Sequence, residues 1–174
     1  LMSQSINLYK QLAKHKLFNK SVNFGLKRIK LALALLGHPE KKLKNVISVV
    51  GESGKFTTLF SLKSFIEASN QNVTTHISPS LRDIRERFYM GEKYLSHKEI
   101  KKTIKQIEKL NIPLTIFECL TLVYIINASK INVDYNIQET GALWRLDSNN
   151  IHDFPKLQIC TNINKQHLNL SLIH

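Results

Sequence analysis

The sequence has few of the residues that would indicate a disulfide scaffold, a metal centre or a membrane anchor. Its 174 residues include two cysteines, Cys119 and Cys160, and each lies in an apolar stretch. We therefore expect two reduced, buried thiols rather than a disulfide, and no Cys or His spacing is typical of a zinc site. The longest apolar runs, LALALLG and LTLVYIINA, are far shorter than the roughly 18 residues of a membrane span.

The first 16 residues also lack the long apolar core and small-residue cleavage site of a secretory signal. Hydrophobic residues make up 43% of the chain and charged residues 22%, as in ordinary globular proteins. A chain of this length forms one domain by default and can bury a substantial core. These features predict a cytoplasmic protein without a membrane partner.

Acidic residues are scarce, since 13 Asp and Glu stand against 25 Lys and Arg, which gives a net charge of +12. Such an excess is compatible with a polyanionic partner such as nucleic acid. The lysines are spread over the predicted helical faces, however, and no basic stripe interleaved with aromatic residues accompanies them. We therefore interpret the charge as a solvated basic surface and expect no nucleic-acid partner.

The apolar spacing alternates between the periods of strands and helices. Short β-branched runs predict strands over residues 45–50, 72–77, 133–140 and 157–163. Helical spacing predicts helices over residues 24–36, 57–69, 97–110 and 116–129. The last two helices begin with capping boxes, Ser96 with Glu99 and Thr115 with Glu118. The alternation predicts an α/β fold with a mostly parallel sheet and flanking helices.

The stretch VVGESGKFTT, residues 49–58, lies between a predicted strand and a predicted helix, which is the context of a phosphate-binding loop. In such a loop, Lys55 and the N–H groups at the helix start hold phosphate oxygens, and the Thr57 hydroxyl ligates Mg²⁺. The general pattern also requires a glycine at position 49, where this chain has valine. A glycine-rich turn with a surface lysine is the alternative, and the stretch alone does not choose between the two.

Five further segments occur in order along the chain: NFGLKRI, ISPSLRDIRERFYMGE, LTIFECLT, VDYNIQETGALWRLDSNNI and TNINKQHLNL. Together with the loop, they resemble the N-terminal ATP-binding part of the folylpolyglutamate synthase/dihydrofolate synthase family, relatives of the Mur ligases. The resemblance runs from about residue 22 to the C-terminus. It implies a P-loop NTPase-like Mur-ligase central domain over residues 21–174 that is incomplete, a helix or tail over residues 1–20, and no C-terminal glutamate-binding domain.

The resemblance also implies the chemistry of an ATP-dependent carbon–nitrogen ligase of folate biosynthesis, acting as a monomer with ATP and Mg²⁺. In that family, ATP phosphorylates a carboxylate of dihydropteroate or a reduced folate. The amine of L-glutamate then attacks the acyl phosphate, and an amide forms. Phosphorylation supplies a leaving group, and Mg²⁺ and a lysine neutralise the charge on the phosphoryl oxygens.

The roles of the family's functional residues pass to the matching positions of this sequence. The resemblance implies the catalytic residues Lys55, Glu139 and His167. It implies the ATP-binding residues Gly51, Glu52, Ser53, Gly54, Lys55, Phe56 and Thr57. It implies the magnesium ligands Thr57, Ser78, Glu139 and His167. It implies a substrate pocket formed by Asn23, Phe24, Gly25, Leu26, Thr115, Ile116, Phe117, Glu118, Leu146, Asp147 and Ser148.

Several of these residues also have structural explanations. Ser78 precedes a proline and is typical of an ordinary turn. Thr115 and Glu118 are explained by their capping box, and Phe117 by the helical spacing of a core residue. Glu139 ends an apolar strand, where an acid in an open α/β sheet usually faces the ligand crevice.

The sequence departs from the family pattern at positions that affect the chemistry. Phe56 replaces a glycine after the lysine, so we expect hindered approach of the backbone to phosphate. Glu52 should repel a triphosphate unless Mg²⁺ or Lys55 screens its charge. Leu143 and Trp144 replace paired glycines close to Glu139. The alternative hypothesis is therefore a truncated, degenerate, non-catalytic homologue that at most binds nucleotide.

Overall fold

The computed structural model describes residues 2–15, 18–19, 25–141 and 147–163. Within these ranges the helices are α1 (Met2–Lys14), α2 (Lys27–Leu35), α3 (Lys55–Ala68), α4 (His97–Glu108) and α5 (Ile116–Ala128). The strands are β1 (Phe18–Asn19), β2 (Val46–Val50), β3 (Val73–His76), β4 (Phe88–Met90), β5 (Leu114–Thr115), β6 (Tyr135–Glu139) and β7 (Leu157–Cys160). Two short 3₁₀ turns cover Pro39–Lys42 and Ile84–Arg87.

Five strands form the central sheet, in the order β4-β3-β6-β2-β7. Strands β3, β6, β2 and β7 are parallel, and β4 pairs antiparallel with β3 at one edge. Strand β2 lies between β6 and β7, and all of its residues are buried, as in a strand that is covered on both faces. The predicted α/β fold with a mostly parallel sheet is confirmed, while β4 is too short to show a period in the sequence.

Helix α3 covers one face of the sheet. Ile47 and Val49 of β2 and Ile137 of β6 point to this face, where they pack with Leu59 and Ile66 of α3. Successive side chains of a strand point to opposite faces, so Ile47 and Val49 lie together on the face of β2 that α3 covers. The packing places the N-terminus of α3 at the end of β2, directly after the loop of residues 51–54.

Helix α5 covers the opposite face, which is polar. Thr74 of β3 donates its single hydroxyl proton to the Asn136 side-chain oxygen at 2.7 Å, so the Tyr124 hydroxyl, also at 2.7 Å, donates to Thr74. His76 is stacked between Phe88 and Tyr124, with ring centroids 5.6 and 5.0 Å away. Burial, together with the nearby Arg87, lowers the pKa of His76 to about 3, so this ring is neutral.

Both predicted capping boxes are present. The Ser96 hydroxyl accepts from the Glu99 N–H at 3.2 Å, and the Glu99 carboxylate accepts from the Ser96 N–H at 2.8 Å. Thr115 and Glu118 make the same reciprocal bonds, at 3.1 and 2.7 Å. Helices α4 and α5 therefore begin where the sequence predicts, because a capping box satisfies orphan N–H groups of the first turn.

The expectation of two buried thiols is wrong for Cys160. Cys119 is buried in α5, but Cys160 is exposed at the end of β7. Strand β7 pairs only with β2 in the described part of the chain, and most of its residues are exposed. An apolar run predicts a strand but does not say whether it lies inside a sheet or at its edge. None of the described helices is long and apolar enough to cross a membrane.

Candidate functional site

The candidate site lies at the carboxyl edge of the parallel strands. Strand β2 ends before Gly51, β6 ends at Glu139, β3 is followed closely by Ser78, and β7 by Thr161. The strands are in register, since Val49 pairs with Glu139. Parallel strands place their carboxyl ends at one edge, where open α/β sheets bind their ligands. The topology thus brings together predicted site residues that are far apart in the sequence.

Lys55 is the first residue of α3, and its ammonium group turns back over the loop of residues 51–57. It donates to the carbonyl oxygens of Gly51 at 2.8 Å and Glu52 at 3.4 Å. It also lies 3.9 Å from a carboxylate oxygen of Glu139. Gly51 and Gly54 have φ angles of 132° and 80°, which residues with a side chain rarely adopt. The structure therefore brings Lys55 and Glu139 together, while their catalytic roles remain predictions.

The backbone donors at the start of α3 are open. Thr58 N–H donates to the Gly54 carbonyl at 2.9 Å, and this bond begins the helical series. In the described part of the chain, the N–H groups of residues 54–57 have no hydrogen-bond partner. Four free donors at a helix N-terminus, beside a lysine, are an arrangement that binds an anion such as phosphate.

Glu139 is a buried carboxylate with few partners. The Ser78 N–H donates to one of its oxygens at 3.1 Å, and the Lys55 ammonium is the nearby cation. Burial raises the pKa of Glu139, and the Ser78 N–H, Lys55 and Arg87 offset this rise only in part. A further cation bound at this carboxylate would compensate its charge, as a hard, oxygen-preferring ion such as Mg²⁺ does.

The predicted magnesium ligands are assembled in part. Ser78 and Glu139 are adjacent through their hydrogen bond, and Thr57 is exposed in the first turn of α3. His167 lies outside the described residues. In the part of the chain that the structure describes, no group of three or more His, Cys, Asp or Glu could hold a metal ion. Mg²⁺ beside a nucleotide usually takes only a few ligands from the protein, and its other ligands are waters and phosphate oxygens. One carboxylate and two hydroxyls suit such an ion.

The first group of predicted substrate residues lies at the start of α5. Besides its capping bond, the Glu118 carboxylate accepts two hydrogen bonds from the Arg28 guanidinium, at 3.2 and 3.1 Å. Arg28 is in the first turn of α2, just after the predicted pocket residues Gly25 and Leu26. The structure therefore explains Glu118 by an ion pair that joins two helices. Asn23, Phe24 and Leu146 lie outside the described residues.

The second group lies beside the first turns of α5. The Asp147 carboxylate accepts from the Gly141 N–H at 2.9 Å. A Cβ at Gly141 would be 2.5 Å from this carboxylate and 3.6 Å from the Phe117 ring, so the three residues are in close contact. Burial raises the pKa of Asp147 to about 6. The Ser148 hydroxyl is hydrogen-bonded to Thr121 at 2.8 Å. Phe117 and Asp147 are thus brought together as the resemblance implies.

Two of the departures from the family pattern are also visible. Phe56 lies inside α3 and is not among the residues with positive φ, so its backbone requires no glycine. Its ring is 41% exposed and packs on Phe60, with centroids 4.4 Å apart. The half-buried Glu52 carboxylate forms no hydrogen bond or ion pair among the described residues, so none of their side chains pairs with its charge. Leu143 and Trp144 lie outside the described residues.

Sequence reasoning missed two residues that contact the loop, Thr161 and Asn162. The Asn162 side-chain oxygen accepts from the N–H groups of Glu52 and Ser53, at 3.2 and 2.8 Å. The Thr161 hydroxyl donates to the Ser53 carbonyl at 2.6 Å. Both residues lie inside the predicted strand 157–163, whereas the structure ends β7 at Cys160, so these polar residues follow the strand and meet the loop at the same sheet edge.

Comparisons with known proteins agree with the predicted resemblance. No family model matches the chain. It is 32% identical over 155 residues to the dihydrofolate synthase/folylpolyglutamate synthase of Bacillus subtilis. The aligned region covers 84% of this chain and 36% of that protein. E. coli FolC in complex with DHPP and ADP superposes with a TM-score of 0.83, at 30% identity, over 94% of this chain and 39% of that one.

A second solved structure is a bifunctional folylpolyglutamate synthase/dihydrofolate synthase with Mn, AMPPNP and L-glutamate bound. It superposes with a TM-score of 0.83, at 28% identity, over 95% of this chain and 40% of that one. The predicted resemblance and the predicted fold class are confirmed. The chain spans well under half of the length of these relatives.

Proposed function

Because the chain resembles the folylpolyglutamate synthase/dihydrofolate synthase family in sequence and fold, we propose that it is the nucleotide-binding part of a folate-type ligase. The reaction would join L-glutamate to dihydropteroate or a reduced folate through an acyl phosphate, with ATP and Mg²⁺. One solved relative holds DHPP and ADP, and another holds Mn, AMPPNP and L-glutamate. We propose as well that the protein is a cytoplasmic monomer without a nucleic-acid partner.

The observation that carries this proposal is the position of the Lys55 ammonium group. It lies 3.9 Å from the Glu139 carboxylate, on the residue with which α3 begins. The Lys55 ammonium is held by the Gly51 carbonyl at 2.8 Å, above the open N–H groups at the start of α3. Phosphate oxygens accept hydrogen bonds from both, and the lysine neutralises charge that develops on the transferred phosphoryl group. Thr57, Ser78 and Glu139 would hold Mg²⁺, whose charge further stabilises the phosphoryl oxygens when it is bound.

The pterin end of the substrate would lie near α5. Phe117 offers a ring and Asp147 a buried carboxyl group, both close to Gly141. With a pKa of about 6, the Asp147 carboxyl exchanges its proton near neutral pH, and it can accept hydrogen bonds from a ligand's N–H groups when ionised. These contacts would orient the substrate carboxylate toward the phosphate loop.

A degenerate homologue that binds nucleotide without catalysis is the second candidate. The Glu52 carboxylate beside the loop favours it, because a negative charge there opposes the binding of a triphosphate. The two candidates can be separated in a full-length relative. The segment that matches residues 51–57 of this chain is replaced there by GESGKFT, and turnover and ATP binding are measured. Loss of turnover with retained ATP binding would support the degenerate form.

Nucleotide binding is the direct test, because the chain spans 36 to 40% of the length of its relatives. Calorimetric titration with Mg·ATP should give saturable binding, and Lys55→Ala should weaken it by about 10- to 100-fold, the value of a hydrogen bond to a charged group. Lys101→Ala is the matched control, since Lys101 is exposed on α4. Absence of binding at millimolar Mg·ATP, or equal affinities for the two variants, would overturn the proposal.

A further inference from the structure

The Asn162 side chain accepts hydrogen bonds from two backbone N–H groups of the phosphate loop. Its side-chain oxygen lies 3.2 Å from the N of Glu52 and 2.8 Å from the N of Ser53, and its own carbonyl accepts from Glu52 N–H at 3.1 Å. Asn162 follows the edge strand β7, whereas the loop follows the neighbouring strand β2. Residues from two strands thus join at the loop.

Thr161 contacts the same part of the loop. Its hydroxyl donates to the Ser53 carbonyl at 2.6 Å, and its N–H donates to the Val50 carbonyl at 2.9 Å. A Cβ at Gly51 would overlap the Thr161 hydroxyl and lie 2.9 Å from the Asn162 carbonyl oxygen. Position 51 is therefore restricted to glycine by contact with this pair as well as by its φ angle of 132°.

The loop's N–H groups divide into two sets. Those of Glu52 and Ser53 bond to Asn162, whereas those of residues 54–57 have no partner in the described part of the chain. We propose that Asn162 is a positioning residue of the phosphate site, which holds the first half of the loop so that the second half is free to converge on phosphate. This role rests on the proposed binding of ATP, but the effect on the loop does not.

Asparagine suits this position because it is a neutral acceptor. An aspartate of the same shape would accept the same two hydrogen bonds but would add a negative charge beside the Glu52 carboxylate. An alanine would leave the Ser53 N–H without its acceptor, whereas the Glu52 N–H would keep its bond to the backbone carbonyl of residue 162 at 3.1 Å. The two substitutions therefore separate the shape of the loop from its charge.

Amide hydrogen exchange in the free protein tests the effect on the loop without any nucleotide. Asn162→Ala should speed exchange at the Ser53 N–H by about tenfold or more, since the Glu52 N–H keeps its bond to the backbone carbonyl of residue 162, whereas Asn162→Asp should keep both N–H groups protected. Thr58 N–H, which bonds within α3, should be unchanged. Asn132→Ala is the matched control, since Asn132 is exposed and, within the described ranges, its side chain accepts from Lys44 alone, at 2.9 Å. Unchanged protection in Asn162→Ala, or lost protection in Asn162→Asp, would overturn the proposal.

Titration with Mg·ATP then tests the link to phosphate. We expect about tenfold weaker binding for Asn162→Ala, weaker binding again for Asn162→Asp, and no change for Asn132→Ala. If wild type does not bind ATP, the proposed function fails and the exchange result still decides whether Asn162 holds the loop. If Asn162→Ala loses protection yet binds ATP like wild type, the positioning role is refuted. Should that variant not fold, Asn162→Gly removes the same side-chain acceptor and is expected to speed exchange at the Ser53 N–H, and its failure to do so counts against the proposal.

Discussion

Glu118 at the start of α5 and Glu139 at the end of β6 are equally buried but differ in their partners. Their exposed fractions are 5% and 4%. The Glu118 carboxylate accepts two hydrogen bonds from Arg28 and one from the Thr115 N–H. The Glu139 carboxylate accepts one, from Ser78, and its cation Lys55 is 3.9 Å away.

The difference shows how to distinguish a structural carboxylate from one that awaits a ligand. A buried charge is costly unless it is paired and hydrogen-bonded, so Glu118 is satisfied within the protein. Burial raises the pKa of Glu139 because its partners compensate the charge incompletely. A perturbed acid in a ligand crevice is a candidate functional residue. The resemblance assigned both residues to the site, and the structure favours Glu139 alone for a role in the chemistry.

Loss of the Glu118 carboxylate should have the largest effect. Glu118→Ala removes the buried carboxylate that accepts two hydrogen bonds from the Arg28 guanidinium, which we expect to lower the free energy of unfolding by about 3–5 kcal/mol. Urea denaturation measures this change. Glu99→Ala is the matched control, because it removes a capping-box glutamate that pairs with no arginine among the described residues, and it should cost only about 1 kcal/mol. Equal losses in the two variants would show that the Arg28 pair does not stabilise the fold.

Asp147, a third buried carboxyl group, extends the comparison to pH. Its pKa is raised from 3.8 to about 6, so the folded protein holds this proton more tightly than the unfolded chain does. The resulting stability is present below pH 3.8 and is lost as the pH rises to about 6, a difference of about 3 kcal/mol. We therefore expect Asp147→Asn to gain about 3 kcal/mol relative to wild type between pH 4 and pH 7.

Urea denaturation of both proteins across this pH range makes the measurement. His76 and His152, with pKa values lowered from 6.5 to about 3 and about 4, act in the opposite direction. Their stability is present above pH 6.5 and is lost as the pH falls, in wild type and variant alike. The difference between the two proteins therefore isolates Asp147, and a difference that does not vary with pH would contradict the prediction.

Glu139→Gln should have the smallest effect on stability. The substitution keeps the shape of the side chain and removes a buried charge, so we expect the free energy of unfolding at pH 7 to change by less than about 1 kcal/mol. Binding of Mg·ATP should weaken by about tenfold, since the metal loses a charged ligand. Parallel denaturation and calorimetry measure the two. A destabilisation as large as that of Glu118→Ala would show that the two carboxylates have the same structural role.

The features that could be predicted from the sequence are those with local signals. Each capping box, Ser96 to Glu99 and Thr115 to Glu118, spans four residues, and strand β2 with its glycine loop spans nine, from residue 46 to residue 54, so short windows contain the whole pattern. Strand β4 is only three residues long and depends on pairing with β3. The exposure of Cys160 depends on the place of β7 in the sheet, which no local pattern encodes.

The site required information of longer range. Lys55 and Glu139 were predicted from the resemblance, and the sheet order explains why they meet. Arg28 was missed because its partner Glu118 is 90 positions away, and an arginine on a helix is typical of a solvated surface. Asn162 was missed for the same reason. The predicted role of His167 stays a prediction, because that residue lies outside the described ranges.

The contact between Asn162 and the phosphate loop has a consequence for folding during synthesis on the ribosome. Glu52 and Asn162 are 110 positions apart in the sequence. At about 5–20 residues per second, translation needs roughly 5 to 20 seconds to pass from one to the other. During that interval the nascent chain contains the glycine loop without Asn162, and strand β2 lacks both neighbours until β6 has been synthesised. Contacts of such high sequence separation form late and slowly. The loop is therefore among the early segments to be synthesised and among the last to acquire its shape.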